Sequence, residues 1–343
     1  MRTIEWNDSN STIKMIDQTL LPGELKFIEC KNTAEVCEAI QNLRIRGAPA
    51  LGVCGAFGVA LAAQLSSADT VEGIIKDMKA AGEAIKKTRP TAINLAWGVD
   101  RVLQIAEEEG MDPHLVKNIA LEEAKNMADE DVAINKKIGK NGAKLLRDGD
   151  VVLTHCNAGR MACVDWGTAL GVIRSAVADG KKITVLACET RPLNQGSRIT
   201  AWELQQDKIP VQVITDSTAG FLMSEGVINK VIVGADRITQ EFVYNKIGTY
   251  THSVLAKEHN IPFYVAAPVS TLDPDSWEEN VQIERRSENE LRYIGSCKDQ
   301  NVPNGVPILN LAFDKTPMEN VSAIITENGV FSPPILIDEI ILG

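Results

Sequence analysis

Two short stretches of this chain could deliver chemistry. Residues 153–159 read Leu153-Thr154-His155-Cys156-Asn157-Ala158-Gly159, and residues 233–237 read Val233-Gly234-Ala235-Asp236-Arg237. Each is an apolar run that breaks into small or polar residues, the pattern of a buried strand giving way to its loop. One delivers a thiol, the other a carboxylate. Ligands of an open parallel sheet bind beyond the strand carboxyl ends. Cys156 and Asp236 are therefore expected to face one pocket and to act together on a small molecule. Plainer readings compete: another core cysteine for Cys156, and a salt bridge to Arg237 for Asp236. His155 would point away from Cys156 if the strand continues, and a structural hydrogen bond is its expected role. Cys163 is expected to pack.

Cations and exposed amides fall where an anion could be held. Arg46-Gly47-Ala48-Pro49 precedes a glycine-rich apolar run, and a cation beside a helix start makes a phosphate seat. Arg89-Pro90-Thr91 lies between two expected helices. Arg191 and Arg198 flank Asn194-Gln195-Gly196 beyond another strand end, and Asn245-Lys246 is read as the opening of the helix after Asp236. Each is weak alone, but strand ends of one sheet converge in space.

The elements that must position these groups change character along the chain. The first part reads as helical. Thr33 can cap Ala34–Leu43, Val71–Lys87 is amphipathic, Thr91 can cap Ala92–Glu109, and Pro113 opens a helix reaching roughly Leu146. The uncharged run Gly47–Ala63, with its four glycines, reads as a buried helix rather than a membrane span. Asp148-Gly149-Asp150 marks the boundary, giving a mainly helical unit over 1–147 and a sheet unit over 148–343. Apolar strands at 151–154, 182–187, 211–215, 231–233, 263–267 and 323–326 alternate with helices at 167–178, 198–206, 219–224 and 246–259. That alternation implies an α/β fold with a parallel sheet covered on both faces.

Several function classes are disfavoured. The net charge of -11 argues against a nucleic-acid backbone as partner. No glycine-rich nucleotide fingerprint and no G-x-S-x-G occurs. His252 and His259 are too far apart for one ion, so no metal is expected. The seven cysteines (30, 37, 54, 156, 163, 188 and 297) include no C-x-x-C pair, and polar residues follow Trp6 at once. A cytoplasmic protein with free thiols is expected.

Beyond these readings, the motifs resemble a known family. Arg46-Gly47-Ala48-Pro49-Ala50-Leu51-Gly52, Thr88-Arg89-Pro90-Thr91-Ala92-Ile93-Asn94-Leu95 and Thr154–Gly159 are similar to those of S-methyl-5-thioribose-1-phosphate isomerases. So are Glu189–Pro192, Gln195–Leu204, Gly234–Ile238, Asn245–Tyr250 and Pro262–Pro268, in the family's order. The resemblance implies a helical N-terminal domain, a Rossmann-like C-terminal domain, a homodimer, no cofactor and a small phosphorylated pentose as partner. It implies an aldose–ketose isomerisation in methionine salvage, with Cys156 and Asp236 catalytic. Arg46, Gly47, Ala48, Arg89, Gln195, Asn245 and Lys246 would hold the substrate. The same resemblance leaves a 5-deoxyribose or ribose 1,5-bisphosphate substrate open, Arg160 being the residue that would seat a second phosphate. A non-catalytic relative of the initiation-factor-2B regulatory subunits, which share the fold, is the other class.

Overall fold

The computed structural model describes residues 1–276, 279, 281–294 and 299–342. Cys297 lies outside the described residues. The chain begins with strands rather than helices: β1 (Ile4–Asn7), β2 (Thr12–Ile16) and β3 (Phe27–Cys30) form an antiparallel sheet. No expected element covers these first thirty residues, and the helices of the mainly helical unit begin after them. Ile4 and Trp6, then Ile13 and Met15, recur at the period of a strand and are all buried.

Five helices follow: α1 (Thr33–Gln41), α2 (Ala48–Leu65), α3 (Val71–Thr88), α4 (Ile93–Glu109) and α5 (Pro113–Ala143). Asn32, not Thr33, caps α1, accepting the Glu35 N–H at 3.0 Å, while Glu35 accepts the Lys31 N–H at 2.7 Å. This reciprocal arrangement satisfies two otherwise unpaired donors. Thr91 does not cap α4, whose N-cap Ala92 has no side-chain bond; its hydroxyl reaches Glu284 at 3.3 Å instead. Helix α2 is buried on nearly every side and packs against α3, α4 and α5. Its glycines permit close backbone approach: a Cβ on Gly98 of α4 would lie 2.0 Å from the Gly52 carbonyl oxygen. Among the described residues α2 is the one helix long and apolar enough to cross a membrane, and 78% of it is buried inside the protein.

The remainder alternates strand and helix: β4 (Val151–Thr154), α6 (Ala169–Ala178), β5 (Thr184–Cys188), α7 (Ala201–Gln206), β6 (Val211–Ile214), α8 (Thr218–Ser224) and β7 (Lys230–Val233). Then come β8 (Arg237–Ile238), β9 (Phe242–Lys246), α9 (Thr249–Glu258), β10 (Phe263–Ala266), α10 (Asn289–Arg292), β11 (Tyr293–Ile294) and β12 (Asp299–Gln300). The last elements are β13 (Phe313–Pro317), β14 (Ala323–Ile325), β15 (Val330–Phe331) and α11 (Ile337–Leu342). The large sheet has the order β15-β14-β10-β7-β4-β5-β6 and is parallel except for its edge strand β15. This mixed α/β architecture matches the expected fold class.

Alternate residues of these strands enter two cores. Val152, Val185 and Ile232 pack with Ile138 of α5 and Leu170 of α6, whereas Leu153, Leu186 and Val233 pack with Met223 of α8 and Ala256 of α9. Both faces are buried, so the strands read as continuous apolar runs. Helix α5 serves two cores: Val116 and Met127 lie among the N-terminal helices, and Ile138 and Ala143 lie against the sheet.

A small sheet in the order β13-β9-β8 was not legible in the pattern. It moves Asn245 and Lys246 from the expected helix start to the end of β9, where they pair with Asp314 and Phe313. Helix α9 starts only after Gly248, whose φ of 105° is unfavourable for other residues.

Candidate active site

The pocket lies beyond the carboxyl ends of β4 and β7, roofed by the start of α2. All nine residues singled out from the sequence line it: Arg46, Gly47, Ala48, Arg89, Cys156, Gln195, Asp236, Asn245 and Lys246. They come from six separate stretches of chain.

Cys156 sits two residues past β4 with φ at +65°, the left-handed region. A non-glycine residue there costs about 1–3 kcal/mol and persists only when its surroundings impose it. Here two hydroxyls do so. The Cys156 N–H donates to Thr190 Oγ1 at 2.8 Å, and Thr200 Oγ1 donates to the Cys156 carbonyl at 2.7 Å. The following loop is fastened by buried Glu203, which accepts from Asn157 Nδ2 at 2.9 Å and from the Arg160 N–H at 2.9 Å. Burial pushes the Cys156 thiol above its ordinary 9.0, against the pull of Lys246 and Arg46.

Asp236 sits three residues past β7, after Gly234 and Ala235. The competing salt bridge does not form: Arg237 turns to Asp273 at 3.4 Å. Among the described residues the Asp236 carboxylate has no hydrogen bond or ion pair and faces the pocket. Burial raises it above its ordinary 3.8, while Lys246, Arg89 and Arg46 pull it down.

The cations differ in how they are held. Arg46 is 9% exposed and among the described residues bonds only neutral acceptors: Gln18 Oε1 at 3.1 Å, and the carbonyl and side-chain oxygens of Asn157. Burial lowers its pKa, a sign of an uncompensated charge that an anion would relieve. Lys246 has no carboxylate partner among the described residues, and its Nζ lies 4.9 Å from the Phe313 ring centroid. Arg89 pairs with Glu284 at 2.8 Å, and among the described residues its Nε has no partner. Gly47 caps α2 at φ 98°, and a Cβ there would lie 2.4 Å from Ala162 Cα, so only glycine brings this helix start so close. Among the described residues Gln195 Oε1 is likewise unpartnered.

Other expected cations fall elsewhere. Arg198 binds the carbonyls of Gln18, Thr19 and Leu21, and Arg191 binds that of Pro192. Arg160 pairs with Asp207 at 2.8 Å and does not line the pocket, so it is not a second phosphate seat. Sequence reasoning missed Glu284, Arg286 and Phe313, which also line it; they come from segments without periodic signal. His155 lines the pocket edge and bonds the Ile247 carbonyl at 2.8 Å, as its strand position predicts. Beside the pocket lies an apolar annex lined by Leu51, Ala92, Ile93, Tyr244, Val281 and Ile283, sharing Ala48, Arg89, Asp236 and Phe313 with it.

With this geometry in hand, the chain compares closely with known proteins. A model of the initiation factor 2 subunit family matches residues 44–333. The chain belongs to this family. Within it, a Methanosarcina acetivorans protein called a putative methylthioribose-1-phosphate isomerase is 62% identical over 342 residues, covering 100% of this chain and 97% of the relative. The solved 5-methylthioribose 1-phosphate isomerase of Pyrococcus horikoshii superposes with a TM-score of 0.89 at 42% identity, over 97% of this chain and 93% of that one. An A. fulgidus family structure, described as translation initiation factor eIF-2B subunit delta, gives 0.88 at 53% identity over 100% of both chains.

Proposed function

We propose that this protein is an isomerase converting 5-methylthioribose 1-phosphate to 5-methylthioribulose 1-phosphate in methionine salvage. The observation that carries the reading is the unpaired Asp236 carboxyl, held toward its protonated form across a pocket from Cys156, beside two cations without carboxylate partners. A scaffold protein has no use for such a set, because each uncompensated group costs stability.

The substrate's C1 phosphate blocks spontaneous opening of the furanose, so an acid must protonate the ring oxygen. Asp236 fills that role because burial favours its neutral form. The phosphate would sit on Arg46, Lys246, Arg89 and the amides at the start of α2, with Gln195 and Asn245 on the sugar hydroxyls. As C1–O breaks, C4 gains a hydroxyl and C1 becomes electron-deficient. Burial also holds the Cys156 thiol protonated, and a dianionic phosphate beside it favours that form further. The hydrogen of C2 is therefore assigned to move as hydride to C1, with the thiol steadying the C2 hydroxyl. The proton released from that hydroxyl returns to Asp236, and atoms and charge balance.

The annex favours an apolar C5 substituent. Its two arginines, Arg89 and Arg237, are already paired with Glu284 and Asp273, leaving no free cation for a second phosphate among the described residues. An apolar pocket separates methylthio from hydrogen by only about 1–3 kcal/mol, so 5-deoxyribose 1-phosphate is a secondary substrate. In the same reading, a mainly helical N-terminal domain (1–147) and a Rossmann-like C-terminal domain (148–343) enclose the site. The enzyme works as a cytoplasmic homodimer without cofactor, nucleic acid or membrane. Exposed Phe221 and Val254 on the paired helices α8 and α9 support a second copy as neighbour.

The test is turnover of purified protein on the methylthio, deoxy and bisphosphate sugars side by side. Ketose from the first at the highest kcat/KM supports the reading. Conversion of none would favour a regulatory protein.

A further inference from the structure

Behind the thiol loop, three side chains with metal-ligand chemistry converge from separate elements. His155 follows β4, Cys188 ends β5 and His252 lies on α9, all buried. The sequence hid this cluster, because neither 33 nor 64 residues of separation is a recognisable ligand spacing. Their donor atoms all lie within 4.8 Å of one another.

The local hydrogen bonding orients a lone pair inward. His155 Nε2 meets the Ile247 carbonyl at 2.8 Å, and a carbonyl only accepts, so Nε2 carries the proton and Nδ1 is bare. That second-shell bond is the usual device for aiming a ligating imidazole. Nδ1 is 3.2 Å from His252 Nε2, which is 3.5 Å from Cys188 Sγ. A tetrahedral zinc ion with Zn–N about 2.05 Å and Zn–S about 2.3 Å sets these edges at about 3.3 and about 3.6 Å. Two of the three edges agree within about 0.1 Å of those values, and the third, His155 Nδ1 to Cys188 Sγ, lies within 4.8 Å. Beside the cluster, Asp216 Oδ1 stands 3.9 Å from His155 Nδ1, its carboxylate held by the N–H groups of Thr190 and Arg191, both at 2.8 Å.

We propose that His155, Cys188 and His252 form a buried three-ligand site for one zinc-type transition ion. Two imidazoles and a thiolate suit zinc rather than the hard cations magnesium and calcium. Burial keeps both imidazoles in the neutral, ligating form, at about 4 for His155 and about 3 for His252. The Cys188 thiol is pushed up by burial, with Asp216 and Glu189 adding to it, so binding must displace its proton. The S–H bond breaks, a sulfur–metal bond forms, and one proton leaves per ion. Asp216, Glu189 and Lys246 are the charged groups that face the cluster, and Lys246 opposes the ion. Among the described residues the His252 Nδ1 has no hydrogen-bond partner. The ion would bind α9 to the ends of β4 and β5, a structural tie behind the pocket rather than a participant in the reaction.

Metal analysis of the untagged protein, followed by cobalt(II) loading of the metal-stripped form, tests this. The expected result is one zinc per chain as isolated, and one cobalt per chain with a thiolate-to-cobalt absorption band that zinc abolishes. Cys188→Ser removes the band and lowers metal content at least tenfold, and His252→Leu does the same should the serine variant fail to fold. Wild-type protein that neither retains zinc nor binds cobalt stoichiometrically would overturn the proposal, leaving a hydrogen-bonded cluster. So would an unchanged cobalt spectrum in Cys188→Ser, because the thiol would then be another one, such as Cys156.

Discussion

Cys156 and Cys188 are the same residue type at the carboxyl ends of adjacent parallel strands, and they have opposite fates. Cys188 is the last residue of β5, fully buried, with its sulfur against His252. Cys156 lies two residues beyond β4, where left-handed backbone turns it into a pocket containing Arg46, Asp236 and Lys246. A strand end thus offers two environments. The last paired residue still belongs to the core, and the second residue past it belongs to the ligand. The difference lies in backbone geometry imposed by Thr190 and Thr200, not in side-chain chemistry.

That contrast can be broken most forcefully at the reacting pair. Asp236→Asn and Cys156→Ser are each expected to lower kcat by about 10²-fold or more with the fold intact by circular dichroism, the scale of a lost acid–base group. Cys188→Ser should leave kcat within about 2-fold, as befits a group that does not touch substrate. Near-normal turnover in either pocket variant would erase the distinction. Next in size, Lys246→Met should raise KM for the sugar phosphate by about 10-fold or more, the loss of one charge-assisted contact.

The same variant carries a pH signature. Asp236 must be protonated to act, so the rate falls as pH rises through its raised folded value. Lys246 lowers that value, so its removal moves the alkaline limb of the kcat profile to higher pH. An unmoved limb would take Asp236 out of the acid's role. Substrate deuterated at C2 should give ketose labelled at C1; washout into solvent would replace hydride transfer with a thiolate base. The smallest effect concerns stability. His252 is depressed from 6.5 to about 3, so its contribution is complete above pH 6.5 and is lost as pH falls toward the folded value. His252→Leu should flatten the fall in Tm between pH 7 and pH 5 by a few degrees.

Legibility in the sequence followed the length and purity of each physical signal. The strands flanking Cys156 and Asp236 were readable because burial on both faces leaves unbroken apolar runs such as Val231–Val233. Cys156, Asp236, Arg46, Gly47 and Ala48 were reachable because strand ends and a helix start announce themselves locally, whereas the family resemblance singled out Arg89, Gln195, Asn245 and Lys246 as substrate residues. The small sheet was not, because β8 has two residues and β9 contains Tyr244, Asn245 and Lys246, which read equally well as a helix start. Glu284 meets Arg89 across 195 residues, a pairing no local window contains. Arg160 shows the converse error: a cation near the thiol in sequence was recruited by Asp207 and Glu203 of the neighbouring helix end.

Helix α5 has a thermodynamic consequence of its own. Its 31 residues span about 46 Å and are shared by the helical core and the sheet core. Neither half can melt while the other keeps this rod in place without exposing apolar surface on both. The two halves should therefore denature in a single calorimetric transition despite their different architectures, and a helix-breaking proline midway along α5 should split that transition in two.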